Sequence, residues 1–178
     1  MQSDYHLDSV TGVWSQPEFQ SIDYSDGEET EQRLQHIIDT ASDISSLSPE
    51  LRPHCIDWPT TYHLSGLRAN ILRPFEITAE HEVLEIGAGC GALSRYLGEC
   101  GASVLALEGS LRRAHIARSR TRDLDNVAVV AEKLSTFKTP QQFDVVTLIG
   151  VLEYAALDDD ADDPAQVMLS KAASMLKP

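Results

Sequence analysis

A chain of 178 residues, 42% of them apolar, suits one domain plus an appendage and has enough apolar material for a real core. No apolar run approaches the ~20 residues of a membrane span, and Met1-Gln2-Ser3-Asp4 starts no leader, so no membrane span and a cytoplasmic location are expected. A net charge of −14 repels phosphate backbones and disfavours nucleic acid as a partner.

Residues 1–25 are polar, with scattered Tyr5, Trp14, Phe19 and Tyr24 and no visible period. They read as an arm packed on the domain. Residues 1–57 as a whole hold twelve acids against two bases, Arg33 and Arg52. Ser25-Asp26 opens a helix in which Leu34, Ile37, Ile38 and Ala41 form a one-sided stripe. Glu28, Glu29 and Glu31 fall in its first turns, where the helix dipole favours acids. Ser48-Pro49-Glu50-Leu51 starts a short helix before Pro53. Asp57-Trp58-Pro59 is a turn or extended link. Ser65 caps a helix over about residues 66–72, with Leu67, Ile71 and Phe75 as its apolar face. Cys55, Cys90 and Cys100 lack paired spacing and read as free thiols.

From residue 80 strands and helices alternate. Strands are expected over residues 82–85, 103–107, 126–130 and 143–149, and helices over 92–100, 111–123 and 164–176. Gly101 ends the first helix, while Ser110 and Asp163 cap the other two. This alternation means an α/β fold with a parallel sheet and right-handed crossovers. Arg112, Arg113, Arg118, Arg120 and Arg122 fall on the second helix and read as a solvated face, with the acidic arm as a neighbour. The last helix crosses back over the sheet with no strand after it. The fourth strand is therefore expected as an edge, with the sheet truncated before a fifth.

The chain is organised around Val83-Leu84-Glu85-Ile86-Gly87-Ala88-Gly89-Cys90-Gly91. An apolar strand ends in a glycine turn that enters a helix N-terminus. The glycines expose bare backbone, and the helix presents unpaired N–H groups. Cys90 reads as a small residue tolerated in the turn. The spacing Gly87-x-Gly89-x-x-Ala92 also satisfies a dinucleotide fingerprint, so an NAD(P)-binding oxidoreductase is an alternative.

Four segments in order separate the readings. Glu85 to Gly91 resembles motif I of class I S-adenosylmethionine-dependent methyltransferases, an acid and an apolar residue before G-x-G-x-G. Glu108 stands at the tip of the second strand, about twenty residues on. Phe143-Asp144-Val145-Val146-Thr147-Leu148-Ile149-Gly150-Val151-Leu152-Glu153-Tyr154 resembles motif IV, and Met175-Leu176-Lys177-Pro178 resembles the helix end before the fifth strand.

The resemblance implies a three-layer Rossmann-like sheet of order 3-2-1-4 and S-adenosylmethionine as cofactor. It divides the chain into an arm and helical extension, residues 1–57, and a cofactor-binding domain, residues 58–178. It places the backbone of Gly87, Ala88 and Gly89 on the cofactor, with Gly91 allowing close helix packing and Glu85 near the ammonium. Glu108, with Gly109 beside it, would hold the ribose diol. Glu132 and Lys133 would meet the adenine, and Ile149 and Gly150 would line the pocket beneath the sulfonium. Tyr62 and Arg68 would reach the cofactor carboxylate.

The tract from Asp57 to Asn70, with Gly150 to Ala155, further resembles methyltransferase modules found with bacterial glycosyltransferases and surface-polysaccharide synthesis. It implies a small polar acceptor such as a sugar hydroxyl, and a glycosyltransferase domain as a partner. A hydroxyl acceptor needs a general base, for which Glu153, His63 and His54 are candidates. Asp158-Asp159-Asp160 and Asp162-Asp163 read as solvated loop acids, and no metal is expected. A non-catalytic cofactor-binding or interaction module is the second reading.

Overall fold

The computed structural model describes residues 4–178; Met1–Ser3, read above as part of a leaderless start, lie outside them. Six strands form one sheet: β1 (His6–Leu7), β2 (Trp14–Ser15), β3 (Glu82–Ile86), β4 (Ser103–Glu108), β5 (Val127–Ala131) and β6 (Val145–Leu148), in the order β1-β2-β5-β4-β3-β6. All neighbours are parallel except β1 and β2. The expected order is therefore corrected. The four long strands are neighbours as β5-β4-β3-β6, but the arm adds two short strands beyond β5 and makes the sheet mixed. Two-residue strands leave no periodic signature, and Trp14 takes its place by pairing with Leu7 on one side and Val130 on the other.

The sheet is buried on both faces. Val83, Val104 and Val129 pack with Leu93, Leu97 and Ala114 on one side. Leu84, Ile86 and Val130 pack with Phe143, Met168 and Ala172 on the other. The first side is covered by α3 (Ala92–Glu99) and α4 (Leu111–Arg120), the second by α5 (Ala155–Asp158) and α6 (Pro164–Ser174). Strand residues alternate faces, so this division follows directly from the apolar runs.

The extension packs onto the domain rather than beside it. Helix α1 (Glu28–Thr40) lays Leu34, Ile37 and Ile38 against Ile116 of α4 and Cys90 of the glycine turn. Full burial of Leu34 and Ile38 contributes about 1.5–3 kcal/mol each. The arginine face of α4 is thus an interface, and the solvated-face reading is corrected. Arg113 and Arg120 are buried. Arg113 donates to Glu31 at 2.9 Å, and Arg122 donates to the carbonyls of Ile38 and Ala41.

Local chemistry moved several elements. Residues 58–64 are helix α2 (Trp58–Leu64), which begins where Asp57-Trp58-Pro59 was expected as a turn or link. Asp57 accepts the Thr60 N–H at 2.9 Å, Thr60 answers with a bond from the Asp57 N–H, and Pro59 sits where an N–H is dispensable. The proline that suggested a link is a helix starter. After Ser48 only a 3-10 turn forms, Arg52–His54. Gly66–Ile71 is also 3-10, so Ala69 and Leu72 are buried three apart, while the expected face of Leu67, Ile71 and Phe75 stays exposed. Ser110 makes no side-chain cap; its N–H serves Glu108 instead. Phe143 lies outside β6, in a parallel bridge with Leu176, and Lys177 bonds Asp144 and Glu82. Among the described residues no helix is long and apolar enough to cross a membrane.

Candidate active site

A cavity opens at the C-terminal ends of β3, β4 and β6, where open parallel sheets bind ligands. Its floor is the turn after β3. The N–H groups of Gly87 and Ala88 both donate to the Leu107 carbonyl, at 2.8 and 3.0 Å, which pins the turn to β4. Gly89, at φ 56°, has open space where a side chain would stand; the nearest atom to an added Cβ is His63 Cε1 at 3.7 Å. Gly91, at φ 80°, does a different job. An added Cβ would lie 2.8 Å from Ala117 Cα, so its bareness lets α4 approach, and Gly91 is not among the cavity-lining residues.

Two carboxylates stand behind this turn. Glu108 accepts the Gly89 N–H at 2.6 Å and the Ser110 N–H at 2.8 Å. Burial raises its pKa, and those two bonds oppose the rise. Glu85 is buried and accepts the Ser94 hydroxyl. Burial pushes its carboxyl up to about 8; Ser94 opposes the shift and Glu108 adds to it.

A second cluster gathers around Gly150, whose φ is 71°. A Cβ there would lie 2.8 Å from the Tyr62 hydroxyl, 3.6 Å from Arg68 Nη2 and 3.9 Å from Glu153 Oε1. The Arg68 guanidinium sits 4.0 Å from the Tyr62 ring centroid and donates to its hydroxyl. Ile149 and Glu153 line the same wall. Beyond Glu108, the cavity is bounded by Gly109, Glu132 and Lys133. Glu132 already accepts from the Thr136 hydroxyl at 2.6 Å and the Lys133 N–H at 2.9 Å. It faces Tyr5 at 3.5 Å, and burial together with Glu132 pushes the Tyr5 phenol up to about 12.

The base candidates fare differently. Glu153 is exposed at the cavity wall. His63 is buried in the lining, with Nε2 2.8 Å from Asp26. Asp26 also takes Arg113 Nη2 at 2.6 Å, and these partners hold its carboxyl below the usual range, the His63 bond most of all. His54 lies exposed on its 3-10 turn, away from the cavity. Asp158 lines the cavity and accepts the Ser135 N–H at 2.9 Å, while Asp163 caps α6. Asp163 thus caps the helix as expected, whereas Asp158, expected as a solvated loop acid, ends α5 and is engaged. Among the described residues no group of three His, Cys, Asp or Glu side chains gathers for a metal.

The sequence reading missed Ile22, Tyr24 and Asp26, which line the cavity from the N-terminal arm, as well as Trp58, Arg113 and Tyr154. Tyr154 ends the motif IV stretch and Trp58 lies in the tract from Asp57 to Asn70, but neither was singled out there; Ile22, Tyr24, Asp26 and Arg113 lie in no motif. The one signal was the scatter of aromatics in the arm.

Comparison with known proteins bears on this geometry. A ubiquinone biosynthesis O-methyltransferase of Stutzerimonas stutzeri (strain A1501) is 30% identical over 122 residues, which cover 66% of this chain and 49% of that protein. A ribosomal RNA small subunit methyltransferase A of Streptococcus sanguinis (strain SK36) is 39% identical over 84 residues, 40% of this chain and 29% of that protein. The chain thus spans half or less of these relatives' length. The crystal structure of coclaurine N-methyltransferase bound to N-methylheliamine and SAH shares the fold, with a TM-score of 0.56 at 19% identity over 87% of this chain and 50% of that one. A family model described as a methyltransferase domain matches residues 84–178, more than half of the sequence. The chain belongs to the methyltransferase-domain family.

Proposed function

We propose that the cavity binds S-adenosylmethionine and that the protein transfers its methyl group to a small polar acceptor, a sugar hydroxyl being the favoured class. The observation that carries this reading is the pairing of open backbone at Gly89 with the Glu108 carboxylate, 2.6 Å apart. A nucleoside with a zwitterionic tail fits that arrangement. Glu108 still has free lone pairs for a ribose diol after accepting two N–H groups. The tail runs along the bare Gly87–Gly89 turn towards the Arg68–Tyr62 pair, which suits a carboxylate, and Glu85 suits an ammonium.

When bound, this cofactor supplies a methyl group already activated on a sulfonium. The chain's own residues orient and exclude water. Ile149 and Gly150 wall the reacting end, and Glu153, beside Gly150 and Tyr62, takes the proton of an acceptor hydroxyl. His63, oriented by Asp26, is the second candidate for that task. Trp58 and Tyr62, with centroids 5.8 Å apart, offer ring faces for the apolar face of a sugar. Six cavity-lining acids (Asp26, Glu85, Glu108, Glu132, Glu153 and Asp158) against Arg68, Arg113 and Lys133 disfavour a polyanionic acceptor. RNA is therefore the less favoured acceptor. On this reading residues 58–178 form the cofactor domain, residues 1–57 its helical extension, and a glycosyltransferase is a fitting partner.

Calorimetry with S-adenosylhomocysteine tests the site. Micromolar binding and a raised melting temperature are expected; binding of NAD or NADP in its place would refute the reading. Transfer of labelled methyl to saccharide acceptors then separates an enzyme from a non-catalytic module.

A further inference from the structure

Resting on that reading, the arm's path adds something the motifs do not contain. Residues 21–27 run extended across the cavity mouth with a period of two. Ser21, Asp23 and Ser25 are exposed, while Ile22, Tyr24 and Asp26 turn inward and line the cavity. Each inward residue is fastened to the domain. The Ile22 N–H donates to the Gly109 carbonyl at 2.9 Å, and Ser21 Oγ accepts the Leu111 N–H at 3.1 Å. Tyr24 stacks on Tyr154 at 4.4 Å and lies under the Arg113 guanidinium at the same distance. Asp26 joins His63 and Arg113.

The contact at Gly109 is the most telling. A Cβ at Gly109 would stand 2.8 Å from Ile22 Cδ1 and 3.1 Å from Cγ1. The domain omits a side chain at the residue after Glu108, and the arm fills that space with its own. A ribose held by Glu108 directs its base into the space bounded by Gly109, Ile22 and Leu134.

We propose that residues 21–27 form a strap that covers the bound nucleoside, with Ile22 supplying the apolar face that position 109 lacks and the Tyr24–Tyr154 pair latching the strap to the opposite wall. The strap hangs between two anchors. Phe19 packs into the core beside the sheet, and Gly27, at φ 99°, begins α1. Exchange of the nucleoside requires the segment between them to lift.

The test is stopped-flow fluorescence of S-adenosylhomocysteine association and dissociation, with Trp58 in the cavity wall as reporter. Ile22→Gly is expected to speed dissociation about tenfold or more, with association unchanged or faster. Restoring an apolar side chain from the other side, Ile22→Gly with Gly109→Ile, is expected to recover at least half of the lost residence time. A merely unfolded arm would not be rescued in this way. Tyr154→Ala is expected to raise both rates. Unaltered rates in Ile22→Gly, or no rescue by the double variant while binding persists, would overturn the strap. Absence of binding in the unsubstituted protein would instead overturn the cofactor reading on which it rests.

Discussion

The two walls of the cavity are built on opposite terms. The floor, from Gly87 to Gly91 with Glu108, is made by a contiguous strand, turn and helix and works through backbone. Its glycines matter for what they lack: open space at Gly89, room for α4 at Gly91. The roof, from Ile22 to Asp26 with Trp58 and Tyr154, is assembled from segments far apart in the chain and works through side chains. A backbone wall tolerates almost no substitution, because a Cβ at positive φ is strained whatever it touches. A side-chain wall can exchange one apolar or aromatic group for another. On the proposed reading the floor would set which cofactor class fits, and the roof would accept the wider range of substitutions.

Substitutions on each wall should rank accordingly. Gly89→Val places a branched side chain at φ 56° in the space meant for ligand. It should abolish S-adenosylhomocysteine binding, a loss of about 100-fold or more by calorimetry, with the melting temperature lowered as well. Glu108→Ala removes the acceptor of both the Gly89 N–H and a ribose diol, and should weaken binding by roughly 10- to 100-fold.

On the roof, Asp26→Asn breaks a largely buried ion cluster and should cost about 1–3 kcal/mol in urea unfolding at pH 7. The sign of its pH dependence is fixed. The folded-state pKa of Asp26 is depressed, so its contribution is complete above the ordinary carboxylate range and fades as pH falls through the lowered value. The difference between variant and parent should shrink as pH falls below the ordinary carboxylate range. Smallest of all, on the proposed reading Trp58→Ala should leave cofactor affinity within about threefold and raise the acceptor KM, because the exposed ring stands beside Tyr62, where the acceptor would lie. A large cofactor effect at Trp58, or a negligible one at Gly89, would erase the distinction between the walls.

Legibility in the sequence follows the same division. Strand periods, the glycine turn and Glu108 are local, so the parallel core and the floor could be read from residues near one another. Helix α2 was misjudged because Pro59 is ambiguous until Thr60 and Asp57 are seen to cap each other. The arginines of α4 looked solvated because their acidic partners lie some 80 residues earlier, as in Arg113 with Glu31. Strands β1 and β2 are too short to show a period. The strap alternates over residues 21–27, but that alternation mixes Ile, Tyr and Asp. Apolarity alone therefore does not reveal it.

On the proposed reading of the site, Glu85 would turn cofactor capture into an acid-releasing event. Held up to about 8 by burial, its carboxyl keeps its proton near neutrality in the cofactor-free protein. An ammonium arriving beside it favours the carboxylate and expels that proton to solvent. Affinity should then climb with pH up to about 8 and level off above. The calorimetric heat of binding should scale with the ionisation enthalpy of the buffer, and Glu85→Gln should remove both effects. Saturation of the site would thereby follow the acidity of its surroundings.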